Sequence, residues 1–329
     1  MSNMAHPGEF ELISRYFARG NGRAATLTGV ELGIGDDAAV LRVPEGEDLV
    51  AAIDTIVEGR HFPLHSEPRS IGHRALAVNL SDLAAMGAQP RWALLALTIP
   101  VSDEDWLEGF ADGLLALADQ HGVALVGGDT TAGPLTISVQ ILGSVPRGGA
   151  LRRSGAQDGD LLVVTGSLGD AAAGLDVLQR KGRAADDAFE QELVRRFEYP
   201  TPHVQLGLAV RRIASAAMDL SDGLAGDLPK LAQASGLSAH VEVERLPQSD
   251  ALRAAVPAAR GRDFALAGGD DYELLLAVSR QQYQELASTA QRLGVALTTI
   301  GEMRRGSGVN WSLDGRHFEV TARGYDHFR

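Results

Sequence analysis

The chain has 329 residues, of which 45% are hydrophobic and 22% charged, and this is typical of a globular protein with two domains. It contains no cysteine, which excludes disulfide scaffolds, thiolate metal sites and cysteine nucleophiles. Its net charge of −13 repels polyanions, so we expect no nucleic-acid partner and no membrane partner.

The first residues lack the charged-then-apolar pattern of a secretory signal, and no apolar run approaches the roughly 20 residues that span a bilayer. A cytoplasmic location is therefore the expectation.

Turn and cap signals predict the elements of the first half. In chain order they are a helix over 8–17, strands over 38–42 and 48–54, a helix from Ser70 to about residue 86 with Gly87 as its stop, a strand over 93–99, a helix that begins at Ser102 and ends at Gly122, and strands over 123–126 and 135–145. The segment 143–159 is rich in Gly, Arg and Pro, and it predicts two domains, 1–145 and 146–329.

The second half predicts a similar mixture. In order it shows a strand over 161–165, a turn over 166–169, a helix from Asp170, a helix broken by Pro200 and Pro202, a helix to about residue 234, strands over 239–243, 264–267 and 272–278, a helix over 281–293, and strands near 309–313 and 318–321. Strands and helices do not alternate strictly, which indicates an α+β (α/β mixed) fold.

Two short motifs occur twice in the chain. Leu-Ser-Asp at 80–82 recurs at 220–222, and Gly-Gly-Asp follows each copy at nearly the same distance, at 127–129 and 268–270. Each motif alone is more often a helix cap or a turn. The matched spacing favours an internal duplication, in which each half places one Asp on a helix and another after a Gly-Gly turn.

Many acidic residues stand beside Gly, Ser or Thr at the ends of predicted elements. They are Asp36, Asp37, Asp54, Asp82, Asp129, Asp219, Asp222, Asp270 and Asp271. Any single one is more often a cap or turn residue, but the set suits several Mg²⁺ ions, which take oxygen ligands from carboxylates and from phosphates. The nine histidines are scattered and form no zinc-binding pair.

Signals for phosphate binding and for covalent catalysis are weaker. The chain has only two lysines and no phosphate-binding loop of the Gly-x-x-x-x-Gly-Lys type. The turn at 166–169 could bind an anion or could simply be a tight turn, and Arg153 could bind a phosphate. Neither Ser81 nor Ser221 has a recognisable base, and His61 could contact a ligand or be structural.

Motifs spread from Gly8 to Phe328 resemble those of the thiamine-monophosphate kinases. They are GIGDDA at 33–38, DT with EGRHF between 54 and 62, NLSDLAAMG at 79–87, GGDTT at 127–131, RSGA at 153–156, DLSDGL at 219–224, GGDDYEL at 268–274 and GYDHF at 324–328. These kinases are relatives of aminoimidazole ribonucleotide synthetase. The resemblance implies an N-terminal ATP- and Mg²⁺-binding domain that forms a barrel with its copy in a homodimer, and a C-terminal α+β domain.

The resemblance also implies a reaction: ATP, as co-substrate, phosphorylates thiamine monophosphate to thiamine diphosphate, assisted by several Mg²⁺ ions and without a side-chain base. The residues that match the family's motifs are Asp37, Asp54, Asp82, Asp129 and Asp219 for Mg²⁺, with Asp222 on a further ion; Gly128, Asp129, Arg153 and Ser221 for ATP; and His61, Asp270 and Tyr325 for the substrate. Two positions depart from the family. Ala52-Ile53 replaces the frequent Ser-Thr, and Asp270, whose side chain is one methylene shorter, replaces the usual Glu.

Two rival functions remain open at this point. A related enzyme could use ATP on another acceptor, although the absence of cysteine argues against the carbamoyl-handling branch of the superfamily. The fold could instead serve as a non-catalytic nucleotide sensor, although the acidic set is essentially complete in this chain.

Overall fold

The computed structural model describes residues 12–18, 29–182, 187–321 and 324, and the chain divides into two compact units. The first comprises Met1–Leu83 and Gln89–Gly148, and the second comprises Ala84–Ala88 and Gly149–Arg329. The sequence predicts one break, after residue 145, and gives no sign that the short segment Ala84–Ala88 groups with the second unit.

A four-stranded sheet forms the centre of the first unit. Its strands are β3 (Glu47–Val57), β4 (Gln89–Ile99), β5 (Ala124–Ala132) and β6 (Thr136–Pro146), preceded by the short strands β1 (Val30–Leu32) and β2 (Val40–Leu41) and by a π-helical turn over Ile13–Phe17. The order is β3-β6-β4-β5. β4 and β5 run parallel, whereas β6 is antiparallel to both of its neighbours.

Two helices, α1 (Pro68–Ala85) and α2 (Glu104–His121), pack tightly against each other in the first unit, which contains α1 as far as Leu83. A Cβ added to Gly72 of α1 would lie 2.0 Å from the carbonyl oxygen of Phe110 on α2. The backbones of α1 and α2 can approach this closely because Gly72 has no side chain. Buried leucines line α1, and Asn79 on the same helix bonds the backbone of β3.

The second unit contains a seven-stranded sheet. Its strands are β7 (Leu161–Thr165), β8 (Ala216–Leu220), β9 (Ser238–Glu242), β10 (Glu273–Val278), β11 (Leu297–Arg304), β12 (Gly308–Leu313) and β13 (Arg316–His317), in the order β13-β12-β9-β11-β7-β10-β8. Among these described strands, only β9 and β12 pair in parallel. Every residue of β10 is buried, so this apolar strand is part of the core.

Seven helices accompany this sheet among the described residues. They are α3 (Asp170–Lys181), α4 (Ala188–Glu198), α5 (Val204–Val210), α6 (Leu224–Ser235), α7 (Asp250–Ala255), α8 (Ala258–Ala267) and α9 (Tyr283–Arg292). Leucines of α6 and apolar residues of α8 join the strands in one buried cluster. The presence of helices and strands in both units confirms the predicted α+β (α/β mixed) class, while the dimer barrel stays a prediction.

Some boundaries differ from the prediction. The segment 264–267, predicted as a strand, is the end of α8, and 318–321 forms no strand. Helix α2 is capped by Asp103 rather than Ser102, because the Asp103 carboxylate accepts the N–H groups of Asp105 and Trp106 at 3.0 and 3.2 Å. Ser70 lies inside α1 and does not cap it.

The predicted internal duplication is wrong at the level of local structure. Asp82 lies within α1, whereas Asp222 lies between β8 and α6. The first Gly-Gly-Asp belongs to strand β5, and the second belongs to the loop between α8 and β10. Gly128 has φ +151°, and a Cβ there would lie 1.9 Å from the Leu95 carbonyl oxygen. The glycine therefore permits a close strand contact and not a turn.

Among the residues that the structure describes, no helix has both the length and the apolar character needed to cross a bilayer. The cytoplasmic location stays a prediction.

Candidate functional site

In the first unit, the end of β3 presents Asp54 next to helix α1. The Asp54 N–H donates to the side-chain carbonyl of Asn79 at 3.1 Å, and the Asn79 amide donates to the Ala75 carbonyl at 3.0 Å. Asn79 is fully buried. Because both of its bonds are internal, its side chain is a fixed brace between α1 and the strand that carries Asp54.

His61 follows β3 and is held by the backbone of Val57. The ring Nδ1 of His61 accepts the Val57 N–H at 3.0 Å, and the backbone N–H of His61 donates to the Val57 carbonyl at 2.9 Å. A neutral His61 ring therefore carries its proton on Nε2, which makes that nitrogen a donor.

The other acidic residues of this unit are spread out. Asp37 is exposed in the segment between β1 and β2, and its N–H donates to the Asp36 carboxylate at 2.8 Å. Asp54 and Asp129 lie on β3 and β5, the two edges of the sheet, which are separated by roughly 14 Å at ordinary strand spacing. Asp82 lies near the end of α1.

In the second unit, the end of β8 carries Asp219, Ser221 and Asp222. Asp219 is buried at 6% exposure. One carboxylate oxygen of Asp227, in the first turn of α6, accepts the N–H groups of Ser221 and Asp222 at 3.0 and 2.9 Å. Burial raises the pKa of Asp227, and the neighbouring Lys230 ammonium only partly opposes that rise.

The loop between α8 and β10 lies directly against this strand end. The Asp270 N–H donates to the Ser221 carbonyl, and the Tyr272 N–H donates to the Leu220 carbonyl, both at 2.9 Å. Asp270 and Tyr272 have φ of +72° and +52°, a conformation that non-glycine residues rarely adopt and that often marks functional loops. The Tyr272 hydroxyl lies 3.3 Å from the Asp270 carboxylate. The structure thus brings Ser221, Asp222 and Asp270 together.

The turn at 166–169, one candidate for binding an anion, already has protein partners. The carboxylate of Asp271 accepts the Gly169 N–H at 2.7 Å and the Ala171 N–H at 3.2 Å. The Leu168 N–H donates to the Pro247 carbonyl at 2.8 Å. Burial raises the pKa of Asp271 well above its usual range, and the two N–H groups only partly oppose this. Of the two interpretations, the structure favours the tight turn.

Glu273 is the first residue of β10, directly after the loop between α8 and β10, and it forms a buried polar network. Its carboxylate accepts from the Thr165 hydroxyl at 2.5 Å, the Arg196 guanidinium at 2.8 Å and the His203 ring at 2.5 Å. Burial pushes the pKa of Glu273 upward, but His203, Arg196 and Thr165 more than offset this, and the pKa is lowered overall.

Arg153 and Tyr325 are the remaining predicted residues. Arg153 is exposed, and its carbonyl accepts from the Ser235 hydroxyl at 3.0 Å. Tyr325 lies outside the described residues. Gly324 is described, and a Cβ there would lie 2.6 Å from the Gly226 Cα and 2.9 Å from the Asp222 carbonyl oxygen.

Within residues 12–18, 29–182 and 187–321, no three His, Asp or Glu side chains converge closely enough to bind a metal ion by themselves. Mg²⁺ is usually held by one or two carboxylates together with phosphate oxygens and water. The separated, oxygen-only donors of this chain therefore fit Mg²⁺ that arrives with a nucleotide.

Sequence reasoning overlooked the groups that hold the site residues in place. Asn79 and Asp227 had readable signals, since one directly precedes the repeated Leu-Ser-Asp motif and the other is an acid in the first turn of a helix. Glu273 had none, because its partners Thr165, Arg196 and His203 are distant in sequence.

Comparison with known proteins identifies two domains. Residues 35–145 match the family described as AIR synthase related protein, N-terminal domain, and residues 157–312 match its C-terminal domain. A thiamine-monophosphate kinase from Salmonella typhimurium is 48% identical over 98% of both chains. The thiamine-monophosphate kinase from Escherichia coli K12 is 46% identical, again over 98% of both chains.

Solved structures agree. A thiamine-monophosphate kinase from Stenotrophomonas maltophilia is 48% identical, with a TM-score of 0.86 over 94% of this chain and 97% of that chain. AaThiL complexed with AMPPCP and TMP is 31% identical, with a TM-score of 0.77 over 100% of this chain and 99% of that chain.

We expect replacement of Glu273 by Gln to change the acid stability of the protein. A lowered folded-state pKa means that this carboxylate stabilises the fold above its ordinary pKa of 4.5, and that the contribution is lost as the pH falls through the folded-state value. At pH 7 the variant should lose about 3 kcal/mol of unfolding free energy, because Arg196 and His203 lose a buried partner. Below pH 4.5 the difference from the unmodified protein should shrink.

Urea unfolding followed between pH 3.5 and 7.5 measures both effects. Glu192→Gln is the control, since Glu192 pairs with Arg195 at the surface and such pairs contribute about 0–1 kcal/mol. Equal acid dependence in the Glu273→Gln protein and the unmodified protein would contradict the assignment.

Proposed function

This chain belongs to the thiamine-monophosphate kinase family, and we propose that it transfers the γ-phosphoryl group of ATP to the phosphate of thiamine monophosphate, forming thiamine diphosphate and ADP. The observation that supports this most strongly is the similarity to named thiamine-monophosphate kinases over 98% of the chain. AaThiL, which also matches over the whole chain, forms a complex with AMPPCP and TMP.

The chemistry fits a site without a side-chain base. The acceptor is a phosphate monoester with a second pKa of about 6, so it is largely ionised at neutral pH and needs no proton removed. An acceptor oxygen attacks the γ-phosphorus in line, the bond to the β–γ bridging oxygen breaks, and ADP leaves with the electron pair. Catalysis then consists of positioning the two anions and offsetting their charge.

The charge to be offset is large. Two unit charges 4 Å apart repel by about 4 kcal/mol at an effective dielectric constant of 20, and the two substrates bring several such pairs together. Mg²⁺ supplies positive charge that screens this repulsion. We assign Asp37, Asp54, Asp82, Asp129 and Asp219 as its ligands, and the brace from Asn79 to the Asp54 backbone supports the assignment at β3.

For the remaining roles we assign Gly128, Asp129, Arg153 and Ser221 to ATP. Gly128 and Asp129 are both exposed on β5, which supports this, because a nucleotide can reach an exposed backbone that has no side chain at one position. We assign His61, Asp270 and Tyr325 to thiamine monophosphate. The Nε2–H group of His61 would donate to the substrate. The Tyr272 hydroxyl would orient the carboxylate of Asp270, whose side chain is shorter than the family's usual Glu.

We propose that the protein is a homodimer joined through the face of the β3 sheet that carries Leu49 and Ile53. These side chains are 52% and 63% exposed, and exposed large aliphatic side chains on a strand indicate a contact surface.

A coupled ADP-release assay with Mg²⁺-ATP should respond to thiamine monophosphate and not to thiamine or to substrates of the aminoimidazole pathway. Only the monophosphate offers an ionised phosphate on the thiamine framework. Chromatography should find thiamine diphosphate as the product. No ADP release with thiamine monophosphate, alongside tight binding of Mg²⁺-ATP, would refute thiamine monophosphate as the acceptor.

Asp129→Asn should lower turnover by roughly a hundredfold or more, because it removes a charge that offsets the bound metal and aligns the phosphates. Its unfolding temperature should be unchanged, since Asp129 is exposed. Asp119→Asn, at an exposed position of α2, is the matched control and should leave the rate unchanged. Near-normal turnover in folded Asp129→Asn protein would refute the metal assignment.

Light scattering at micromolar concentration should give the mass of a dimer. Ile53→Asp should shift the protein toward the monomer, because it places a charge in an apolar contact. Val101→Asp is the control, since Val101 has a similar exposure of 62% outside the sheet. A monomer for the unmodified protein would refute the dimer.

A further inference from the structure

The second unit contains a cation that the proposed function does not use. Lys230, on α6, donates to the Asp222 carboxylate at 2.6 Å and to the Asp227 carboxylate at 2.9 Å. Asp222 is the residue that the family resemblance places on a further Mg²⁺ ion. In this chain the carboxylate already has a positively charged partner.

The choice of lysine at this position is unusual for the chain. Of its 30 basic residues, only Lys181 and Lys230 are lysines. Arginine has a broad planar guanidinium, whereas lysine offers a compact point charge with three donors. A compact charge is the feature that a side chain needs to take the position of a small cation between two carboxylates.

The Lys230 side chain is 43% exposed, but one of its two partners is buried. The Asp227 side chain is only 2% exposed, and its second oxygen accepts the N–H groups of Ser221 and Asp222. Asp227 therefore cannot turn away, and Lys230 neutralises a carboxylate that would otherwise be buried without a counter-charge. Moving Lys230 to admit a metal ion would break its direct ion pair with the buried Asp227 carboxylate.

A divalent ion at Asp222 would also meet direct repulsion. An ion bound to the oxygen that faces Lys230 would compete with the ammonium for the same lone pairs. An ion on the other oxygen would lie close to a like charge, and the two cations would repel each other. The residues present at Asp222 therefore do not fit a divalent ion while Lys230 stays in place.

We infer that Lys230 supplies the positive charge at Asp222, so that this chain binds no divalent ion there and takes up one ion fewer with ATP than the family resemblance implies. Lys230 then stabilises the Ser221–Asp222 turn, and its ammonium lies beside Ser221, which is assigned to ATP. The inference rests on the proposed function only in requiring that the protein binds metal–ATP.

Counting Mn²⁺ ions tests this directly. The full chain with saturating AMPPCP is titrated with Mn²⁺, and the ions bound per chain are obtained from the electron paramagnetic resonance signal of free Mn²⁺. Lys230→Met, which keeps the length of the side chain and removes its charge, should bind about one ion more than the unmodified protein. Lys181→Met, at the other lysine, which pairs with Glu190 on the surface, should bind the same number.

A second variant keeps the test valid if Lys230→Met folds poorly. Asp222→Asn in the presence of Lys230 should leave the Mn²⁺ count unchanged, because the unmodified protein binds no ion there. An unchanged count in folded Lys230→Met protein, or the loss of one ion in Asp222→Asn protein, would overturn the inference. The experiment uses no phosphate acceptor, so a failure of the proposed kinase activity would appear separately, in the ADP-release assay.

Discussion

The polar end of the second unit depends on carboxylates that accept backbone N–H groups. A buried N–H without an acceptor is costly, and two sharp changes of chain direction would create such groups, one after β8 and one before α3. Asp227 accepts the N–H groups at the first, and Asp271 accepts those at the second. Both acids are structural, and neither is among the residues assigned to the metal, to ATP or to the substrate.

The same constraint explains how a strained loop is maintained. The positive φ angles of Asp270 and Tyr272 cost free energy, on the order of 1–3 kcal/mol each. The loop is bonded on one side to the end of β8 and on the other to the start of α3. The Glu273 network continues this anchoring into the core. Rigid support on several sides lets a short loop hold a side chain in one position.

Much of the fold could be predicted from the sequence, because many elements end at Gly or Pro and begin at polar caps. β7 and the start of α3 agree with the prediction to the residue. The end of α8 was misread because Phe264 to Ala267 is a short apolar run, which periodicity alone cannot assign to a helix or a strand. The Gly-Gly at 127–128 was misread because a close contact between strands needs glycine as much as a turn does.

The candidate site could be predicted as a set of residue types but not as a geometry. The acidic residues are visible in the sequence, and their motifs carry the family resemblance. Their partners are not visible, because Glu273 meets Thr165 and Asp271 meets Gly169 across about a hundred residues of chain. The contact between Lys230 and Asp222 spans a strand-to-helix junction, where no simple spacing rule applies.

The grouping of Ala84–Ala88 with the second unit has a consequence for dividing the protein. The chain enters the second unit twice, and the Leu151 N–H donates to the Met86 carbonyl while Arg211 donates to the Gly87 carbonyl. A fragment that starts at residue 149 would lose these acceptors, and Gly207, which packs against Ala84, would be uncovered. The two halves are therefore not interchangeable modules, and recombination with a relative would need to transfer the five-residue segment together with the C-terminal part.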